Sequence, residues 1–227
     1  MSAPAPPASL LAPWAELVSA QATHWIAPDG CRDLIWWRSP GQRPRWKVTA
    51  LADGAEAVRA PLGTQYRGWR LLPGTLIDEP RLLARLDHCD EGGLDDALTA
   101  LADATRIDPH VHEALALLAR SPSVRAAVRA TGLCERALER LTRQATGRTP
   151  TYWLALARVR RAAQALPSAV PLAELAHTHG YADQAHMTRA FGRWFGLSPA
   201  RLRASHEALH AVRLAGYGDA AAFTLPG

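Results

Sequence analysis

The sequence predicts an α+β chain: a small β-rich N-terminal domain followed by an all-α C-terminal domain with two helix-turn-helix units joined by a long helix. Three observations carry this. Six of the eight tryptophans (Trp14, Trp25, Trp36, Trp37, Trp46, Trp69) fall in the first 70 residues, among short alternating segments. From Pro80 onward apolar residues recur at three- and four-residue spacing, the period of a helix with one buried face. One helix–glycine–helix pattern then occurs twice, about 48 residues apart.

The first half reads as strands and turns. "MSAPAPPASLLAPWAELVSA" has no basic start and carries Glu16 within its apolar part, so it is not a secretion signal. "PDG" at Pro28–Gly30 and "SPGQRP" at 39–44 are turn sequences. They flank "CRDLIWWR", which alternates from Arg32 to Arg38. "WKVTAL" from Trp46 and "YRGWRLLPG", closing on a Pro-Gly turn, complete the strand-like set. "EPRLLARLDHCD" and "GLDDALTALADATR" then switch to the helical period. The expected division is a β-rich domain over 1–88, a helical linker over 89–108, an all-α domain over 109–206 and a tail over 207–227.

Composition narrows the function classes. No run approaches the ~18 apolar residues of a membrane span. Cys31, Cys89 and Cys134 are an odd, scattered set without a CxxC, which points to a reducing cytoplasm rather than a disulfide framework. The net charge of +5 is unevenly placed: residues 1–106 hold 11 Lys+Arg against 13 Asp+Glu, and residues 107–227 hold 15 against 8. The basic half is the one suited to a polyanion. The bias of 25 Arg to one Lys has a compositional explanation as well, so charge alone does not decide.

That basic half contains the repeat. "SVRAAVRATGLCERALERLTRQATGRTPTYW" from Ser123 and "VPLAELAHTHGYADQAHMTRAFGRWFGLSPARL" from Val170 follow one plan. Each has a short amphipathic helix, a glycine (Gly132, Gly180), a longer helix, and then a glycine with a proline three residues on. The glycines sit where a positive φ lets the chain swing into the next helix. Between the units "TYWLALARVRRAAQAL" (151–166) lacks Gly and Pro and predicts a helix roughly 24 Å long. Such a strut suits two readers in successive major-groove segments, about 34 Å apart.

On these residues the region from about Val111 to Ala204 resembles the AraC/XylS-type DNA-binding domain. "GYADQAHMTRAFGRWFGLSPARLR" is its most specific match, and "GLCERALERLTRQATGRTPTYWLALARVRRA" matches the first unit more loosely. "PDGCRDLIWW" followed by "GWRLLPG" resembles a β-rich domain that accompanies some of these bacterial regulators. The chain departs from the family where recognition helices begin, with Cys134 and Ala182 in place of a capping hydroxyl; Asp183 is the substitute cap expected at the second.

The resemblance implies the site. Met187, Phe191 and Phe195 form the buried stripe of the second reader, and Gln184, His186 and Arg189 fall on groove-facing places. Gln184 suits adenine and Arg189 suits guanine, while His186 suits a base or a phosphate. Arg136, Glu139 and Arg140 are the first-unit equivalents; Glu139 repels phosphate but suits a cytosine amino group. Arg125, Arg143, Arg148, Arg193 and Arg201 are expected at phosphates, with Thr149 and Ser198 aiming helix-start N–H groups there.

The first half is expected to sense an effector or to dimerise. Trp25, Trp36, Trp37 and Trp69 are candidates for an aromatic effector pocket, against a plain core role, and Cys31 is a candidate redox sensor, against a buried thiol. An enzymatic alternative rests on His206, Glu207 and His210, a literal HExxH zinc pattern. The 17 residues that follow it contain no His, Glu or Cys, only Asp219, so a third ligand is missing. His177 with His179, and His110 with His112, are two-histidine pairs and weak metal candidates. The sequence therefore predicts a cytoplasmic, non-enzymatic, sequence-specific regulator without cofactor or metal, acting on promoter DNA. A small-molecule effector, RNA polymerase and a second copy of the chain are the further partners considered. An effector-independent or architectural DNA binder is the alternative.

Overall fold

Side-chain alternation organises the first half. The computed structural model describes residues 6–20, 23–87, 89, 93–219 and 223. Its strands are β1 (Leu10–Leu17), β2 (Thr23–Ile26), β3 (Asp33–Arg38), β4 (Arg45–Val48), β5 (Glu56–Arg59), β6 (Gln65–Leu71) and β7 (Leu76–Ile77). β1, β6, β3 and β4 make one antiparallel sheet in that spatial order, and β2 pairs with β5. Leu34 and Trp36 of β3 share a sheet face with Trp69 and Leu71 of β6, since residues two apart lie on one side. Helices α1 (Glu79–Leu86) and α2 (Leu94–Ala104) cover that face with Leu82, Leu86, Leu98 and Leu101. Trp46 stacks on Trp69 at 5.5 Å. On β6, Gly68 leaves room for the Trp14 indole, which an added Cβ would approach to 1.9 Å. Pro13 falls on β1, an edge strand, where a missing N–H costs no ladder bond.

The predicted linker is part of this first core. β8 (Thr105–Arg106), which directly follows α2, pairs with β7, and Ala97, Ala100 and Ala104 are buried with the sheet. A helix with a small-residue apolar face packs close to a sheet, and that contact outweighs its position between the halves. His88, residues 90–92, residues 1–5 and most of the last eight residues lie outside the described residues.

The second half runs α3 (Pro109–Arg120), α4 (Val124–Thr131), α5 (Glu135–Thr146), α6 (Pro150–Gln164), α7 (Leu172–Thr178), α8 (Gln184–Phe195), α9 (Pro199–Ala204) and α10 (His206–Arg213). The predicted strut is α6, roughly 22 Å long at 1.5 Å per residue. It is buried over most of its circumference: Trp153, Leu156, Ala157, Val159, Ala162 and Ala163 are all inaccessible.

The predicted tail is core as well. Ala208 and Val212 of α10 are buried, and Tyr217 is fully buried, its hydroxyl donating to the Leu115 carbonyl at 2.9 Å. Arg160 of α6, only 1% exposed, donates to the Tyr217 carbonyl at 3.0 Å and the Leu214 carbonyl at 2.9 Å, and pairs with Asp219 at 3.3 Å. A buried guanidinium needs this many acceptors, and the segment after α10 supplies them.

The two halves meet at the Pro28–Gly30 turn. Tyr217 N–H donates to the Asp29 carbonyl at 2.7 Å. Arg70 of β6 pairs with Asp29 at 3.0 Å and with Asp33 at 3.1 Å, and donates to the Ala215 carbonyl at 3.2 Å. Burial pulls the Arg70 pKa down, but Asp29 and Asp33 outweigh it and leave the value above that of an ordinary arginine. Burial raises Asp29 above the usual carboxylate range despite Arg70, and pushes the Cys31 thiol well up, with Asp29 adding to the shift.

Candidate DNA-binding surface

Each helix-turn-helix unit is built by a left-handed glycine. Gly132 ends α4 at φ 69°, and Gly180 follows α7 at φ 73°. Gly147 and Gly196 close α5 and α8 at 70° and 66°. An L side chain rarely adopts this conformation, so the repeated glycines and the repeated turns are one fact. The starts of the long helices differ. Asp183 caps α8, its carboxylate accepting from His186 N–H at 2.6 Å. Cys134 occupies the cap of α5 and makes no side-chain bond, leaving Glu135 in the first turn to oppose the helix dipole.

Both long helices bury one face and expose the other. Leu138 and Thr142 of α5 are buried, as are Met187, Phe191, Trp194 and Phe195 of α8. Arg136, Glu139, Arg140 and Arg143 are exposed on α5, and Gln184, Ala185, Arg189 and Arg193 on α8. Counted from the caps at Cys134 and Asp183, Arg140 and Arg189 hold the same place, as do the buried Leu138 and Met187. Glu139 pairs with Arg143 at 3.0 Å across one turn, so its charge is answered in the free protein.

His186 is committed more than the sequence implied. Its Nδ1 accepts from Ala182 N–H at 3.4 Å, and its ring stands edge-on to Tyr181 at 5.3 Å, which leaves Nε2 for a ligand. Burial lifts the Tyr181 hydroxyl to about 12, so it stays protonated beside the turn.

The expected phosphate contacts divide. Arg125, Arg193 and Arg201 are exposed. Thr149 caps α6 through Tyr152 N–H at 3.2 Å, and Ser198 caps α9 through Arg201 N–H at 3.3 Å. Arg148 already has partners in the free protein: it pairs with Asp53 at 2.7 Å, donates to the Leu51 carbonyl at 3.3 Å and lies over the Tyr152 ring. Asp53, distant in sequence, supplies the carboxylate that captures it. Tyr152 itself, missed by sequence reasoning, donates its hydroxyl to the Ala52 carbonyl at 3.0 Å.

The expected effector residues do not converge on one pocket. Trp36 and Trp69 are 2% exposed in the first core. Trp37 follows Trp36 on the strand and so faces the other side, under Lys47. Trp25 packs on Phe195 at 6.0 Å in the second core. Cys31 is buried with a raised pKa, which opposes the thiolate form a redox sensor needs.

The zinc pattern is used structurally. Glu207 accepts from Trp25 N–H at 2.7 Å, tying α10 to β2. Among the described residues no group of three or more His, Cys, Asp or Glu is placed to hold a metal. His112 is buried with Nε2 at 3.2 Å from the Phe223 carbonyl, whereas its partner His110 is exposed. No described helix is long and apolar enough to cross a membrane.

Residues 127–205 match the family model described as a helix-turn-helix domain. No curated protein matches the chain. Among solved structures, the chain is similar to the C-terminal domain of AraT, a response regulator from Geobacillus stearothermophilus, at 24% identity over 44% of this chain and 87% of that one, with a TM-score of 0.41. It is also similar to ToxT from Vibrio cholerae O395, at 7% identity over 90% of this chain and 98% of that one, with a TM-score of 0.45. The segment 127–205, with its paired left-handed turns and the buried faces of its two long helices, is a helix-turn-helix domain.

Proposed function

We propose that the chain is a cytoplasmic, sequence-specific regulator that reads two adjacent major-groove segments of promoter DNA with α5 and α8. The observation that carries this reading is the equivalence of Arg140 and Arg189, both exposed and each at the same place beyond its helix cap. An arginine there suits guanine O6 and N7, and α6 joins the two units by their cores. Arg136, Gln184 and the free Nε2 of His186 extend the base-reading set, and Glu139 joins it once Arg143 exchanges its carboxylate for a phosphate. Arg125, Arg193 and Arg201 orient the protein on the backbone, contributing affinity that falls with salt. Thr149 supports the start of α6 as a cap, and Ser198 does so for the short α9.

The first domain bears on the DNA-binding half through the Pro28–Gly30 turn and the loop at 49–55, which suits a sensing role. Selection of binding sites from a random duplex pool, followed by salt titration on the winner, tests the reading. An enriched site with two boxes about one helical turn apart is expected. Binding without enrichment would favour an architectural role, and no binding at low salt would overturn the reading.

A further inference from the structure

A cleft of about 350 Å³ lies between the two halves, away from the tryptophans considered as effector residues. Arg32 and Arg148 line it together with Thr75, Thr146, Leu51 and Leu72, and none of its lining residues is acidic. Its floor is fixed. Gly30 and Gly74 line it at φ 75° and 81°, with Tyr217 and Leu115 packed so close behind that an added Cβ would lie 2.7 Å from each. Arg32 is aimed by the Thr49 carbonyl at 2.7 Å and by Glu79 at 2.8 Å. Arg148 is held by Asp53, and its Nε is buried without a hydrogen-bond partner among the described residues. A buried donor without an acceptor is a cost that an entering anion would remove.

We propose that this cleft is a receptor site for a small carboxylate with a short apolar body, its head held between Arg32 and Arg148 and its body against Leu51 and Leu72. The volume lies at the lower end of the ~300–1,000 Å³ typical of ligand pockets. Guanidinium groups favour planar carboxylates because two N–H donors meet two oxygens. Asp53 is mostly exposed, and an exposed ion pair is a weak competitor for Arg148.

Occupancy has a route to both readers, a step that rests on α5 and α8 as DNA-reading helices. Arg148 directly follows the glycine that closes α5. The loop carrying Asp53 also takes the Tyr152 hydroxyl on the Ala52 carbonyl, and its Ala55 N–H donates to the Trp194 carbonyl in the last turn of α8 at 2.8 Å. A carboxylate that displaces Asp53 loosens this loop and changes how firmly the second reader is held against the first.

The test uses the full chain with hexanoate as probe and hexanamide as its uncharged counterpart, followed by saturation-transfer NMR. Hexanoate is expected to bind at least about tenfold more tightly than hexanamide, the discrimination of a charge-assisted hydrogen bond. Arg148→Gln should remove that discrimination, and Asp53→Asn should strengthen hexanoate binding. Ala50→Glu places a carboxylate at the cleft while leaving both arginines intact, and should also abolish binding. Absence of hexanoate binding, equal binding of hexanamide, or indifference to both Arg148→Gln and Ala50→Glu would overturn the site. A chain that binds duplex DNA but not hexanoate loses the cleft proposal alone. One that binds hexanoate as described but no duplex keeps the cleft and loses the DNA reading.

Discussion

Tyr217 donates its backbone N–H to the Asp29 carbonyl at 2.7 Å, so the segment that follows α10 closes on the turn that precedes β3. The contact lies between the buried Arg160 and the half-buried Arg70. Arg70 reaches it from the sheet and Arg160 from the central helix, and each carries acceptors from both halves. The halves are thus joined through backbone carbonyls and partly buried charge, beside the packing of Gly30 and Trp25 against the second core.

Arg70→Met is expected to destabilise the chain by about 3–5 kcal/mol, because it leaves Asp29 and Asp33 partly buried without their counter-charge. Urea unfolding of the variant against the parent measures this. An unchanged midpoint would mean that the carboxylates find water or another cation.

Gly30→Ala combines two costs. At φ 75° the new side chain adopts a left-handed conformation, and its Cβ meets Tyr217 Cβ at 2.7 Å. Gly41→Ala supplies the comparison, with φ 72° and nothing within 4 Å. The conformational part alone is roughly 1–2 kcal/mol. Gly30→Ala should exceed Gly41→Ala by a clear margin in the same unfolding assay, and equal losses would show that the joint at Tyr217 yields easily.

Arg189→Ala should cost about 1–3 kcal/mol of binding to the selected site and relax preference at one base position. Arg201→Ala should weaken binding to all sequences alike and flatten the salt slope by about one unit, since a phosphate contact carries no sequence information. Repeating the site selection with each variant separates the two effects. If Arg189→Ala left the enriched sequence intact, α8 would be seated differently in the groove.

What the sequence disclosed was local. The glycines at 132 and 180, the buried stripe Met187–Phe191–Phe195 and the extent of α6 are set by conformational preference and period, and both are written in neighbouring residues. The three strand-like segments, which became β3, β4 and β6, were legible for the same reason, while β1, β2 and β5 were not, because half-exposed edge segments carry little alternation. Long-range partnerships had no local signature. Nothing near Arg148 announces Asp53, so the tie that this expected phosphate contact makes to the first half was not legible. Nothing near Tyr217 announces Arg160, so a predicted tail turned out to be core. Tryptophan density suggested a pocket, but strand pleating sends Trp36 and Trp37 to opposite faces and Trp25 belongs to the other core.

His179, between α7 and Gly180, gives the fold a pH dependence of definite sign. Burial lowers its pKa below the usual 6.5, and the neighbouring Arg161 lowers it further. As pH falls, the unfolded chain takes up this proton first. Between the two pKa values the unfolded state therefore holds more protons, so stability rises with pH and is lost on acidification below about 6.5. Asp29 acts with the opposite sign at lower pH: its raised pKa means the folded state takes up a proton first, adding stability as the medium becomes more acidic. Thermal unfolding followed from about pH 8 to about pH 5.5 should then show a falling midpoint that is shallower in His179→Gln. Parallel curves for the two proteins would show that His179 is protonated as readily in the fold as in the unfolded chain.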